Sequence, residues 1–200
     1  MIFNFPLILF FIFIGISAIF EYFPLFLICL LPTMPAFTAL LYCMNKIIVN
    51  KDLDIIKDFI NGIKLNFKQS FLTWFIELSL VTILYFNIRF FSLIKHNLLL
   101  ICLFSTILII LAAVTPFIYI LISRFKMKTI ATLRTAFILC FTRPILSITN
   151  LLLFIFSLIL FELAPGPIIL FISSLLSFSL LFVNKSLLHE LDIISKEQNI

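Results

Sequence analysis

The chain has 200 residues, 64% of them hydrophobic and only 12% charged, with a mean hydropathy of +1.29. This composition excludes an ordinary water-soluble domain, which needs far more polar surface to cover a core of this size. The formal charge of +5 is scattered through connections rather than gathered into an aromatic-rich basic patch, which argues against a nucleic-acid partner.

In chain order, apolar segments fall at about 5–31, 34–45, 70–88, 98–123, 144–163 and 167–184. A transmembrane helix needs about 20 apolar residues, with a range of roughly 17–25, and the last four segments meet that length directly. Residues 1–20 have no basic start and no small-residue cleavage site, so they read as a retained span rather than a removed signal peptide.

The stretch "LPTMPAFTAL" (31–40) allows two arrangements. In one, the first helix ends near Leu31 and the chain turns through Pro32-Thr33-Met34-Pro35, with Thr33 capping the next helix and Pro35 in its first turn. In the other, the first helix ends near Phe20, Glu21 and Tyr22 reach the surface, Pro24 opens a new helix, and Pro32 and Pro35 only kink it. Span lengths favour the kink. Both arrangements leave residues 1 and 46 on the same side.

Two polar connections carry helical patterns. In 52–68, Ile56, Phe59, Ile60, Ile63 and Phe67 recur at helical spacing, opposite Lys57, Asn61, Lys64 and Lys68. In 129–144, Ile130, Leu133, Phe137 and Phe141 make a similar stripe beside Arg134 and Arg143. Both are expected to lie along the inner membrane surface, with their cations near anionic headgroups. Arg143-Pro144 marks the start of the following span.

Lys and Arg fix the orientation. Five lie in 46–68, five in 124–143 (Arg124, Lys126, Lys128, Arg134, Arg143) and two at 185 and 196, whereas only Arg89 and Lys95 lie on the opposite side. The basic side faces the cytoplasm. The expectation is an all-α polytopic transmembrane bundle of six spans with two cytoplasmic-surface amphipathic helices, forming one domain over 1–200 with both termini inside.

Intramembrane carboxyls are the natural place to look for chemistry, because a charge at mid-span costs at least about 2.5–3.5 kcal/mol. Glu77 lies nine residues past Lys68, about 13 Å of helix and close to mid-depth. It is expected either to join helices through a hydrogen bond, with Asn150 as the candidate partner, or to relay protons or hold cargo. Glu21 is deep only in the turn arrangement. Cys29, Cys43, Cys102 and Cys140 each sit in an apolar stretch without a CxxC pair and read as free thiols. No HExxH, GxSxG or phosphate-cradling glycine loop occurs, so neither an enzyme nor a cofactor is expected. With three glycines and no GxxxG, the helices are expected to pack through larger side chains.

Three stretches carry a family resemblance. "FLICLLPTMPAFTALLYCMNKII" (26–48) is similar to the opening of YesL-like membrane proteins, whose first span ends at a proline-threonine turn followed by Pro-Ala and Ala-Leu-Tyr. "IIKDFINGIKLNFKQSFLTWFIEL" (55–78) resembles their next segment, which leads through Asn-Phe-Lys-Gln to Trp. "TPFIYILISRFKMKTIATLRTAFILCFTRPILSITNLLL" (115–153) resembles their Ser-Arg-Phe and Ala-Phe pattern before a basic-proline span start. The resemblance favours the turn at 31–35. It implies a multi-helix bacterial plasma-membrane protein of no established activity, of a kind that often accompanies ABC-type carbohydrate uptake systems. The expected partners are therefore the lipid bilayer and a permease or other membrane subunits.

Overall fold

The computed structural model describes residues 22–50, 54–93, 98–163 and 165–197, and these residues are helical apart from short connections. The helices are α1 (Phe23–Leu30), α2 (Thr33–Asn50), α3 (Ile55–Leu93), α4 (Leu98–Arg124), α5 (Thr129–Thr142), α6 (Pro144–Leu163), α7 (Pro165–Val183) and α8 (Lys185–Glu197). Leu25–Val49, α3 and α4 are each long and apolar enough to cross a membrane. Two bent pairs bring the number to as many as five: Thr129–Thr142 with Pro144–Ser157, bent by 103°, and Phe171–Val183 with Lys185–Ile194, bent by 59°. The expected first span through Phe20, together with Glu21, lies outside the described residues.

The prolines at 32 and 35 kink one candidate span and do not turn the chain back. Only Leu31 and Pro32 leave the helix, and Leu31 keeps right-handed helical dihedrals (φ −55°, ψ −44°). Pro32 has no N–H to give Ile28, whose carbonyl instead accepts the Leu31 N–H at 3.2 Å in a tighter turn. Thr33 does not cap α2 with its side chain; its hydroxyl donates back to the Leu30 carbonyl at 2.7 Å. That carbonyl also accepts the Trp74 indole N–H from α3 at 2.8 Å. Backbone groups loosened by proline are thus re-paired inside the protein, as lipid requires. Pro24 stands in the first turn of α1, after Tyr22, as the kink arrangement expects. The turn favoured by the family resemblance is corrected.

The first amphipathic stretch is not a separate surface helix either. Residues 55–93 form one unbroken helix of 39 residues, about 58 Å long against a hydrocarbon core of about 30 Å. Helix α3 therefore projects beyond the apolar layer. Its sides divide into three sectors. Asp58, Gly62, Ser70, Thr73 and Glu77 are buried against the protein. Ile56, Ile60, Phe67 and Phe71 are exposed, and Lys57, Lys64 and Lys68 occupy the remaining exposed side. Ile56, Ile60 and Phe67 of the apolar stripe read from the sequence thus face away from the bundle, Phe59 and Ile63 are half-buried, and the small and polar stripe faces in. Helix α5 repeats this, with Thr132, Ala136, Leu139 and Cys140 buried and Ile130, Phe137 and Phe141 exposed. The 103° bend sets α5 nearly perpendicular to the start of α6.

Helix α2 packs against α3, α4 and α7, and α4 against α3, α5 and α6. The C-terminal half of α4, from Phe117 to Ser123, is buried on all sides and forms the centre of the bundle. Helix α4 runs unbroken through Pro116, where the Thr115 hydroxyl donates to the Leu111 carbonyl at 2.9 Å. Contrary to the expectation of large-residue packing, α2 and α3 meet through small residues. A Cβ at Gly62 would stand 3.3 Å from the Ala39 Cα and 3.1 Å from the Tyr42 ring. In lipid no hydrophobic force drives helices together, so close backbone approach carries much of the association. Gly62→Leu is expected to lower the thermal midpoint in detergent by the equivalent of about 1–3 kcal/mol through overpacking; an unchanged midpoint would contradict the close contact.

Candidate functional site

Hydroxyls inside a membrane helix are satisfied most easily by the carbonyl one turn back, and this chain uses that device throughout. Thr38 donates to Met34, Ser70 to Asn66, Thr82 to Leu78 and Thr149 to Ile145, all within 2.7–2.8 Å. Against this background, two buried side-chain oxygens among the described residues have no partner: Thr73 Oγ1 and Glu77 Oε1. They lie four residues apart on the buried sector of α3, and their residues are 1% and 4% exposed.

The other Glu77 oxygen, Oε2, accepts the Tyr119 hydroxyl of α4 at 2.8 Å. Tyr119 is itself buried, and its ring meets Trp74 edge-on with centroids 6.5 Å apart. Trp74 in turn holds the Leu30 carbonyl at the proline kink. One connected set of side chains thus links the kink, the middle of α3 and the core of α4, and it leaves one carboxyl oxygen and one hydroxyl unpaired. That pair can receive a hydrogen-bond donor such as a water, an ammonium or a hydroxyl group.

Asn150 does not belong to this set. Its side chain pairs with Asn184, whose Nδ2 donates to Asn150 Oδ1 at 2.8 Å and to the Leu180 carbonyl at 2.8 Å. Both asparagines are fully buried, and Asn184 stands at the break between α7 and α8. The expected Glu77–Asn150 contact is therefore corrected to Glu77–Tyr119 and Asn150–Asn184.

The basic residues divide by role. Lys57, Lys64, Lys68 and Arg134 are exposed. Arg143, the residue between α5 and α6, pairs with Glu190 of α8. Arg124, at the end of α4, grips Asp192 of α8 through Nε and Nη2 and donates from Nη1 to Asn45 Oδ1 at 2.7 Å. Lys46 of α2 meets both Asp58 oxygens at 2.7–2.8 Å. All of these pairs join segments assigned by sequence to the basic side. A cleft of about 540 Å³ opens at the same end, between Asn66 and Gln69 of α3 and the 124–128 segment. From Asn66 and Gln69 the inward side of α3 continues through Ser70 and Thr73 to Glu77, a polar line of about 16 Å.

Sequence reasoning found Glu77 but missed Thr73 and Tyr119. Thr73 was within reach, since an i, i+4 spacing places it on the same side as Glu77. Tyr119 lies in an apolar run with nothing local to mark it.

A family model described as "Protein of unknown function, DUF624" matches residues 7–88. The matched region takes in the proline kink, Thr73, Trp74 and Glu77 and ends before α4, and it is compatible with the YesL-like resemblance. No curated protein and no solved structure matches the chain.

Proposed function

We propose that this chain is a six-span protein of a bacterial plasma membrane, with both termini cytoplasmic, that acts without chemistry of its own as a partner of a transport system. The family resemblance points to ABC-type carbohydrate uptake. The observation that carries the reading is the projecting end of α3. Helix α3 is longer than hydrocarbon can cover, and at its first turn Ile55 and Ile56 are 72% and 77% exposed beside the basic sector of Lys57 and Lys64. Large exposed apolar residues in a polar setting mark protein contact surfaces. The Lys46–Asp58 pair braces this end against α2, so it is presented in a fixed pose. Extracted from its native source in mild detergent, the protein is expected to co-purify with a permease subunit or its ATPase. Ile56→Asp with Ile60→Asp is expected to abolish that recovery while membrane insertion persists. Recovery of the parent protein only as a free species would overturn the reading.

The unpaired oxygens of Glu77 and Thr73 favour a second reading, a small secondary transporter with Glu77 as its intramembrane carboxyl. The polar line from the cytoplasmic cleft to Glu77 supplies a one-sided approach for a proton or a hydroxyl-bearing cargo. In that case Glu77→Gln abolishes a proton-coupled flux into proteoliposomes and leaves insertion and thermal midpoint close to the parent; equal flux in variant and parent removes this reading.

A further inference from the structure

We infer that the cytoplasmic cleft between α3 and the α4–α5 connection is a binding site for a phosphate-type anion. The inference stands on the state of Arg124 and on the charges around it. A guanidinium has five N–H donors in a fixed fork. Three are engaged in the structure: those of Nε and Nη2 with Asp192, and one of Nη1 with Asn45. The side chain is only 15% exposed, held from behind by α8 and α2, and it lines the cleft. Two donors remain on a group whose orientation is already fixed, which lowers the entropic cost of engaging an oxyanion.

The charge balance points the same way. Asp192 offsets Arg124. Lys126 and Lys128 line the same cleft, make no ion pair among the described residues, and share the lining with no carboxylate. Two positive charges are left uncompensated, matching the charge of about −1.5 to −2 on a phosphomonoester near neutral pH. The segment that carries them is held in place. The Gln69 amide donates to the Met127 carbonyl at 3.2 Å and to Thr132 Oγ1 at 3.1 Å, tying the connection and the first turn of α5 to α3. Helix α5 then begins at Thr129 with no side-chain cap and no acidic residue in its first turn, so its first amides remain as donors in a field that favours an anion.

The chemistry fits two sources of the same group. One is the phosphate of an inner-leaflet phospholipid, because the cleft opens where α4 ends and α5 turns away. The other is a soluble phosphate or phosphomonoester from the cytoplasm. An anion in the cleft joins Arg124, and through it α8, to the start of α5. The site is independent of both readings given above.

The test uses the full chain in phosphatidylcholine nanodiscs in phosphate-free buffer. In one arm inorganic phosphate is titrated and the thermal midpoint is followed. In the other, phosphatidylglycerol is mixed into the nanodisc and lipid retention is read by native mass spectrometry. Lys126→Gln with Lys128→Gln is compared with Lys64→Gln with Lys68→Gln, which removes the same charge from an exposed side of α3 outside the cleft. The parent is expected to respond in at least one arm, with half-effect shifted by about tenfold or more in the cleft variant and little in the other. A response in the phosphate arm identifies the soluble source, and a response in the lipid arm alone identifies the headgroup. No response of the parent in either arm, or equal losses in the two variants, overturns the inference.

Discussion

The fold depends on one constraint: apolar lipid, not water, is the medium around most of this chain. In water the buried stripe of a helix is apolar and the exposed stripe polar. Here polar residues join the apolar core inside, and large apolar residues cover the outside. Thr38, Ser70, Thr73, Asn150, Ser177 and Asn184 are among the least exposed residues, whereas Leu93, Leu98, Ile130 and Ile145 are among the most exposed. Lipid tails are as apolar as leucine, so outward isoleucines gain nothing by moving inward, and association falls to close packing and polar pairing. Each polar group inside must then find its partner within the protein. The back-bonded hydroxyls, the Asn150–Asn184 pair and the re-paired carbonyls at Pro32 are local solutions of that one problem.

Against such thorough satisfaction, Thr73 and Glu77 stand out. Around them Tyr119 holds one Glu77 oxygen, Trp74 packs on Tyr119 and bonds the Leu30 carbonyl at the kink, and Gly62 lets α2 approach α3 closely. Among the described residues these two side-chain oxygens, one turn apart on α3, are the buried ones without a partner. The kink and the polar site share one chain of contacts, from the Leu30 carbonyl through Trp74 and Tyr119 to Glu77. At the basic end charge is added to packing. There ion pairs at Lys46, Arg124 and Arg143 tie α2 to the start of α3 and α8 to the rest of the bundle, beside the close contact at Gly62.

Much of this was legible in the sequence, and the gaps have physical causes. Long apolar segments, the lopsided lysine and arginine distribution and the Arg143-Pro144 helix start all rest on local composition, and local composition is what a sequence displays. Periodicity marks helical repeats in 52–68 and 129–144 but cannot say which way they face, because an apolar stripe serves equally against protein, headgroups or lipid. The turn at Pro32 rests on the family resemblance, whereas the kink is held by a contact no local pattern shows: Trp74 bonds the carbonyl of Leu30, forty-four residues before it. Partner choice fails for the same reason: nothing near Glu77 or Asn150 distinguishes Tyr119 from Asn184. Helix α8 was overlooked although its signal was present, since Leu187, Leu188 and Leu191 recur at helical spacing between charged residues. The close contact at Gly62 was missed because a search for paired glycines passes over a single glycine set against an alanine.

The central claim is that lipid surrounds this bundle and that its basic end faces the cytoplasm. Its most direct measurement is labelling with a membrane-impermeant maleimide of single cysteines placed at Lys57 and at Lys126, in a background with Cys29, Cys43, Cys102 and Cys140 replaced. Protection of both positions in intact cells and reaction of both in inverted vesicles is the expected result. Labelling of either position from outside intact cells, or release of the protein from membranes by carbonate washing, would contradict the account.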